Sequence, residues 1–188
     1  ALGFHQDRDW FHANKKLYES AVKNPLRAYI ETASTALEAA GLPYHGSAKA
    51  CLFRINRDTR FNKEAPPYKS NIACLFWDER GKRMRTAGFY FDLSPGKLWI
   101  GGGYYRFAKP FKEKYREAVA GDAGEELVEI IEGLEAAGYE VRGENLKRVP
   151  PGYDSDHPRA ELLKKQGLNF IMGAAVQGVE TTKTKAKV

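Results

Sequence analysis

Residues 71–101 read NIACLFWDERGKRMRTAGFYFDLSPGKLWIG, and three apolar stretches in that run are separated by two turn signals. Asn71 to Trp77 and Thr86 to Leu93 are rich in β-branched and aromatic residues, as strands are. Between them, Asp78 to Arg85 with its central Gly81 is expected to turn the chain back. Ser94-Pro95-Gly96 is a second turn, and Lys97 to Gly101 a further strand. Short connections of this kind join antiparallel neighbours, so the middle of the chain is expected to be a meander sheet.

The flanks have the other period. Asp7 or Asp9 is suited to cap a helix with Trp10, Asn14, Leu17, Tyr18 and Ala21 on one face. Asn24-Pro25 is expected to end it and to start a second, since Asn caps well and Pro is tolerated in a first turn. Leu26, Tyr29, Ile30, Ala33, Leu37 and Ala40 then follow the 3.6-residue period up to Gly41. Cys51 to Asn56 reads as a strand. After the meander, Pro110 opens a helix with Phe111, Tyr115, Ala118 and Val119 inward. Asp122 to Glu125 resembles a capping box ahead of Leu127, Ile130, Ile131 and Leu134, with Gly138 at the end. Tyr139 to Arg142 alternates as a short strand, Pro158 to Gln166 is expected to be a short helix, and Leu168 to Met172 to rejoin the sheet. The fold class is therefore α+β: an N-terminal helical pair, an antiparallel meander, then further helices and a C-terminal strand. Residues 1–180 are expected to form one domain, followed by a disordered basic tail over 181–188.

The 188-residue length and 43% hydrophobic content suffice for a real core. Leu168 to Val179 is the longest apolar candidate for a membrane span, but Asn169, Gly173, Gln177 and Gly178 interrupt it and it is too short. The chain opens at Ala1 without an initiator Met or a signal-peptide pattern, so its natural N-terminus is expected to be incomplete. Cys51 and Cys74 each sit in an ACLF stretch and are expected to be buried reduced thiols. A cytoplasmic location without membrane partners is the resulting expectation. Thirty Lys and Arg against 24 Asp and Glu leave +6, moderate for a protein dedicated to nucleic acid.

The positive charge is clustered. Residues 54–70, RINRDTRFNKEAPPYKS, place Arg54, Arg57, Arg60, Lys63 and Lys69 against Asp58 and Glu64. A guanidinium fork grips phosphate or carboxylate in two places and cannot act as an acid or base near neutrality. Asp58 is expected to stay ionised between its arginines, with a lowered pKa, and so to be a weak base. This stretch supplies clamps without a convincing base or nucleophile. Arg-Asp ladders also pin loops onto sheets, and Pro66-Pro67 stiffens a chain with no ligand at all. A purely structural role therefore stands beside the binding role, and for Tyr68 a packed ring is the favoured reading.

Arg54-x-x-Arg57-Asp58-x-Arg60-Phe61 followed by Pro67-Tyr68-Lys69 resembles the signature of a bacterial and fungal family known as domain of unknown function 2461. The likeness extends to Trp10-Phe11-x-x-Asn14-Lys15-x-x-Tyr18, Gly101-Gly102-Gly103 and Asp156-His157-Pro158, nearly the whole chain. The resemblance implies a family and no activity. That family usually carries Lys two residues before the Pro-Tyr pair, where this chain has Ala65, so no catalytic role can rest on that Lys here.

Gly101-Gly102-Gly103 follows a strand and is expected to precede a helix, an order in which backbone amides can cradle an anion. It lacks the P-loop Lys-Ser/Thr and the dinucleotide spacing, and a bulge or close backbone packing is the favoured reading. Gly102, Gly103 and Arg106 are nonetheless candidate ligand contacts, with Lys109 nearby. His157 is the best-placed histidine for proton transfer, although the favoured reading is that Asp156 or His157 merely begins the short helix. Asp154, Asp156 and His157 show no zinc or calcium spacing, Ser47 has no nucleophile elbow, and no pattern names a cofactor. Phe89, Tyr90 and Phe91 resemble an RNA-stacking strand, although the order of elements is wrong for an RNA-recognition fold.

Three functions follow. The leading one is binding of a small anionic, phosphorylated ligand by Arg54, Arg57 and Arg60, oriented by Asp58 and walled by Tyr68 and Lys69. The second is a nucleic-acid module using Arg80, Lys82, Arg83, Arg85 and the tail lysines Lys183, Lys185 and Lys187. The third is a buried brace, for which losing Asp58 would cost about 3–5 kcal/mol.

Overall fold

The computed structural model describes residues 5–60, 62–78 and 80–176. Phe61 and the basic tail over 181–188 lie outside them. Among the described residues the chain is α+β, with helices at the N-terminus and a strand near the C-terminal end. The strands are β1 (Tyr44–His45), β2 (Ile72–Asp78), β3 (Gly88–Ser94), β4 (Lys97–Tyr104), β5 (Glu140–Arg142) and β6 (Leu168–Ala175). Their order in the sheet is β1-β2-β3-β4-β6-β5, so β2, β3 and β4 are the expected meander. Pro95 and Gly96 alone join β3 to β4: Pro95 restricts φ and Gly96 takes φ +76°, open to glycine at little cost. β5 pairs antiparallel with β6, Val141 facing Phe170.

The chain divides into two compact units, each described by itself: one within Ala1–Phe76, Tyr90–Trp99 and Gly173–Val188, the other Trp77–Phe89 and Ile100–Met172. In the first, Asp7 caps α1 (Arg8–Ala13) by accepting from the Trp10 N–H at 2.7 Å. α2 (Lys15–Tyr18) follows, then a π turn over Glu19–Lys23 and α3 (Asn24–Ala39). The expected break at Asn24-Pro25 does not occur. Lys23 and Asn24 both keep right-handed helical angles, and the Asn24 N–H bonds to the Glu19 carbonyl five residues back. That widened turn sits where the Pro25 ring would otherwise meet the carbonyl four residues before it, so the helix bulges instead of ending. Gly41, at φ +70°, then closes α3, with the Leu42 N–H returning to the Leu37 carbonyl at 3.0 Å.

Cys51 to Asn56 is also not a strand. Ser47 caps a single helical turn, α4 (Ala48–Cys51), and the chain beyond it makes only isolated bridges, Leu52 to Cys74 and Asn56 to Tyr68. Leu26, Ile30, Cys51, Tyr68, Cys74 and Phe76 are among the buried side chains of this unit, as is Asp92. Both thiols are unoxidised and fully buried, as apolar neighbours suggest.

The second unit is built on α5 (Lys109–Ala120), α6 (Ala123–Ala136) and α7 (Ala160–Leu163). Phe107, Tyr115, Val119, Ile131, Leu163 and Leu168 form its core. Ile130, expected inside, is 50% exposed. The capping box at Asp122 is absent, because Asp122 already has helical angles and a capping side chain needs an extended backbone. The helix expected over 158–166 contracts to α7: Lys165 bridges to Asn145 and the Gln166 N–H bonds to the Glu144 carbonyl, drawing that backbone away. The glycine run 101–103 lies within β4, not in a turn before a helix. A Cβ at Gly101 or Gly103 would strike the backbone of β6 at Phe170 or Leu168, so the glycines let two strands approach closely.

Candidate functional site

Residues 55–57 and 67–69 are laced by backbone bonds: Arg57 N–H to the Pro67 carbonyl at 2.8 Å and Lys69 N–H to the Ile55 carbonyl at 2.9 Å. This short ladder holds the intervening loop as a hairpin. Tyr68, in its middle, is buried: its ring stacks on Phe11 at 4.3 Å and its N–H donates to Gln6 Oε1 at 3.0 Å. Tyr68 is thus a packed anchor. Adjacent ladder residues take opposite faces, so anchoring Tyr68 directs Lys69 away from it.

The cations of the motif are not equivalent. Arg60 forms a fork on Asp58, Nε to Oδ1 at 2.9 Å and Nη2 to Oδ2 at 2.6 Å, while the Arg60 N–H also reaches Oδ1. These bonds from Arg60, together with its charge and that of Arg54, lower the Asp58 pKa to about 2. Asp58 is therefore committed as an acceptor and is no base near neutrality. Arg57 donates Nε to the Pro66 carbonyl at 3.1 Å, which braces the loop. Arg54 lies 3.8 Å from Asp58 Oδ2, beyond hydrogen-bond distance, with 67% of its side chain exposed. Lys69 Nζ donates to the Arg54 carbonyl at 3.1 Å and sits 5.6 Å from the Phe53 ring centre.

Arg54 and Lys69 meet at a hollow of about 300 Å³, counting its open mouth. Leu26, Leu52, Ile55 and Ile72 supply apolar lining, and Tyr18, Lys23 and Asn71 add polar groups. Lys23 is loosely paired with Glu19 at 3.8 Å. Burial, and then the Glu19 charge, push the Tyr18 phenol up, so it stays a neutral hydroxyl. Behind the hollow, the Asn71 side-chain N–H and the Tyr90 hydroxyl both donate to Oδ2 of the buried Asp92, the latter at 2.8 Å. Sequence reasoning missed Tyr18, Lys23, Asn71 and Asp92. A signal existed: Tyr18, Val22 and Leu26 recur every four residues, and Asp92 interrupts an aromatic strand two residues after Tyr90.

The remaining candidates belong to the second unit. Gly102 and Gly103 lie in β4, and Arg106 is bound to Glu144 at 2.5 Å. His157 Nδ1 accepts the Arg159 N–H at 3.0 Å, leaving Nε2 as the atom for any proton transfer. The turn is organised by Asp154, which accepts the Asp156 N–H, and not by an Asp156 or His157 cap. Arg159 proves to be the engaged residue of this segment. Its Nε donates to the Val119 carbonyl at 2.6 Å and its Nη2 to those of Ala120 and Gly121 at 3.2 and 3.0 Å. In the basic hairpin, Arg80 forks onto Asp78 and Arg83 lies over the Trp77 ring at 5.5 Å. Phe91 packs on Tyr29 at 4.8 Å, so the aromatic strand is largely occupied with its own neighbours. Among the described residues, no three His, Cys, Asp or Glu side chains gather as a metal site, and no helix is long and apolar enough to cross a membrane.

The Asp58–Arg60 pair is exposed on the loop, with 78% of the Arg60 side chain accessible. The premise of a buried brace fails there, and with it the large stability cost. An Asp58→Asn variant is expected to melt almost unchanged near neutral pH, because exposed pairs contribute little and salt screens them. Whatever small difference there is belongs to pH above the ordinary carboxylate range, where Asp58 is ionised, and disappears in acid. The depressed Asp58 pKa contributes stability above the ordinary carboxylate range and loses it as pH falls towards about 2. Unfolding curves from pH 6 to pH 2 should converge for the two proteins at the acid end.

A model of the family described as conserved hypothetical protein (DUF2461) matches residues 1–188. No curated protein and no solved structure matches the chain.

Proposed function

The chain belongs to this family of conserved hypothetical proteins, and from that premise we propose that it holds a small anionic ligand at the ladder of residues 54–57 and 67–69. The carrying observation is the division of labour among the cations. Asp58 is taken up chiefly by Arg60, whereas Arg54, 67% exposed and only 3.8 Å from Asp58, turns to the hollow that Lys69 also lines. A bound anion would relieve their mutual repulsion, and the Arg54 fork suits carboxylate and phosphate oxygens alike. Arg57 holds the loop in place, and Tyr68 sets the face on which Lys69 stands. The reading is one of binding: arginine does not exchange its proton near neutrality, and Asp58 is too acidic to take one.

Calorimetric titration with inorganic phosphate, sugar phosphates and simple carboxylates tests this. Binding is expected to weaken by about tenfold or more in Arg54→Ala, the scale of one lost charge-assisted hydrogen bond. Asp58→Asn is expected to bind anions more tightly at low salt, because a competing carboxylate is gone. The reading fails if no anion binds, or if Arg54→Ala binds as the parent does.

A further inference from the structure

The basic hairpin that follows Trp77 belongs to the second unit and takes no part in the ladder. Two turns close it in succession: the Gly81 N–H reaches the Asp78 carbonyl at 3.0 Å, and the Arg85 N–H the Lys82 carbonyl at 2.9 Å. Its cations divide into two kinds. Arg80 forks onto Asp78 and Arg83 lies over the Trp77 ring. Lys82 and Arg85 are exposed and, among the described residues, enter no ion pair. They are the first and last residues of the second turn, so their backbones lie within about 7 Å of each other.

This arrangement is held at a cost. Met84, the third residue of that turn, takes φ +66°, a left-handed conformation that glycine adopts freely and methionine does not. The Thr86 hydroxyl is buried without a hydrogen-bond partner, and the Thr86 methyl packs so closely on Gly81 that no Cβ fits there. Costs of this kind gather where a chain is shaped for more than its own stability. Here the left-handed residue separates Arg83, set against Trp77, from Arg85 in solvent.

Phe89 comes four residues after Arg85, within about 14 Å of it by the reach of the chain. It is 40% exposed, whereas Phe91 packs on Tyr29. A Cβ at Gly102 would stand 3.2 Å from Phe89 Cδ1, so the glycine lets the ring rest on the sheet while part of it faces solvent. Exposed cations beside an exposed ring are what single-stranded nucleic acid requires, the cations for phosphates and the ring for a base. An acidic peptide would use the cations and leave the ring idle, and a duplex keeps its bases stacked away from it. We infer that Lys82, Arg85 and Phe89 form a surface for single-stranded nucleic acid, separate from the anion ladder. Phosphate and stacking contacts of this kind make it tolerant of sequence.

Fluorescence anisotropy of the full chain with labelled oligothymidylate of about 10 nucleotides tests this across a range of salt. Binding at low salt is expected to weaken steeply as salt rises. Replacing both Lys82 and Arg85 by Ala should cost about tenfold or more at low salt, and should make the log–log salt slope shallower by about 1.4, the share of two phosphate contacts. Phe89→Ala should cost about tenfold with the slope unchanged. Phe89→Trp should bind at least as tightly as the parent, and it keeps the ring's role testable if the alanine variant proves unfolded in a thermal melt. Arg54→Ala should bind the oligonucleotide as the parent does, which separates this surface from the ladder. The inference is overturned if oligothymidylate does not bind, if a folded Phe89→Ala binds unchanged, or if Arg54→Ala abolishes binding. It is overturned equally if polyglutamate or a duplex of the same length binds as tightly through the same residues.

Discussion

Tyr68→Ala is expected to lower the unfolding free energy by about 3–5 kcal/mol, the scale for removing a large buried ring. Tyr68 is 3% exposed and stacks on Phe11, and its backbone N–H is tied to Gln6 across 62 residues of chain. The alanine would remove the ring contact while leaving the backbone bond, so the loss is one of packing. For a protein of this size it corresponds to a fall of roughly 6–20 °C in melting temperature. Tyr68→Phe keeps the ring and should recover most of the stability. Denaturant unfolding of the parent and both variants is the measurement. A Tyr68→Ala protein that unfolds like the parent would show that the ladder does not depend on this anchor. The same variant should also weaken anion binding, because Lys69 would no longer be held on its face of the ladder.

Arg159→Ala is the second large effect, expected at about 2–4 kcal/mol from lost charged hydrogen bonds and carbonyls left without a donor. α5 ends at Ala120, and the carbonyls of its last turn need partners. Arg159 supplies them from a side chain only 14% exposed, and its positive charge also suits the negative end of the helix. Gly124 is part of the device, since a Cβ there would meet Arg159 Nε at 2.5 Å and press on the Val119 carbonyl. Arg159→Lys should recover little, because a compact ammonium cannot reproduce the planar fork. Glu125, 82% exposed and 3.8 Å from Arg159, is the control: Glu125→Ala is expected to shift stability by less than about 0.5 kcal/mol. Thermal and denaturant unfolding of the three variants would expose any failure of this ordering.

Tyr68 sits inside a motif that looked chemical in the sequence, and Arg159 directly follows another. The Asp156-His157-Pro158 segment attracted a proton-transfer reading because its histidine, next to Asp156, is the best placed of the four. In the folded chain His157 accepts the N–H of Arg159, and Arg159 reaches the end of α5, 38 to 40 residues away. No local pattern predicts which carbonyls a distant arginine will find. The triple glycine is a similar case: spacing alone does not separate a phosphate cradle from close strand packing, and the answer comes from the β6 backbone beside it.

Local rules reach as far as the interactions that generate them. The period-two meander, the Pro95-Gly96 turn, the α5 start at Pro110 and the Gly41 and Gly138 stops all follow from steric and hydrogen-bonding preferences within a few residues. They are legible in the linear chain for that reason, and so is the surplus of cations between 54 and 69. Which cation is neutralised and which is left to face a hollow is another matter. It depends on Asp58 choosing Arg60, on Tyr68 finding Phe11, and on a helix bulging past Pro25 so that Tyr18, Lys23 and Leu26 line one wall. Asp58–Arg60 and the bulge are local choices among several open to the chain, whereas Tyr68–Phe11 and the wall that residues 18–26 share with residues 52–73 join distant segments and are settled only when the chain has closed on itself.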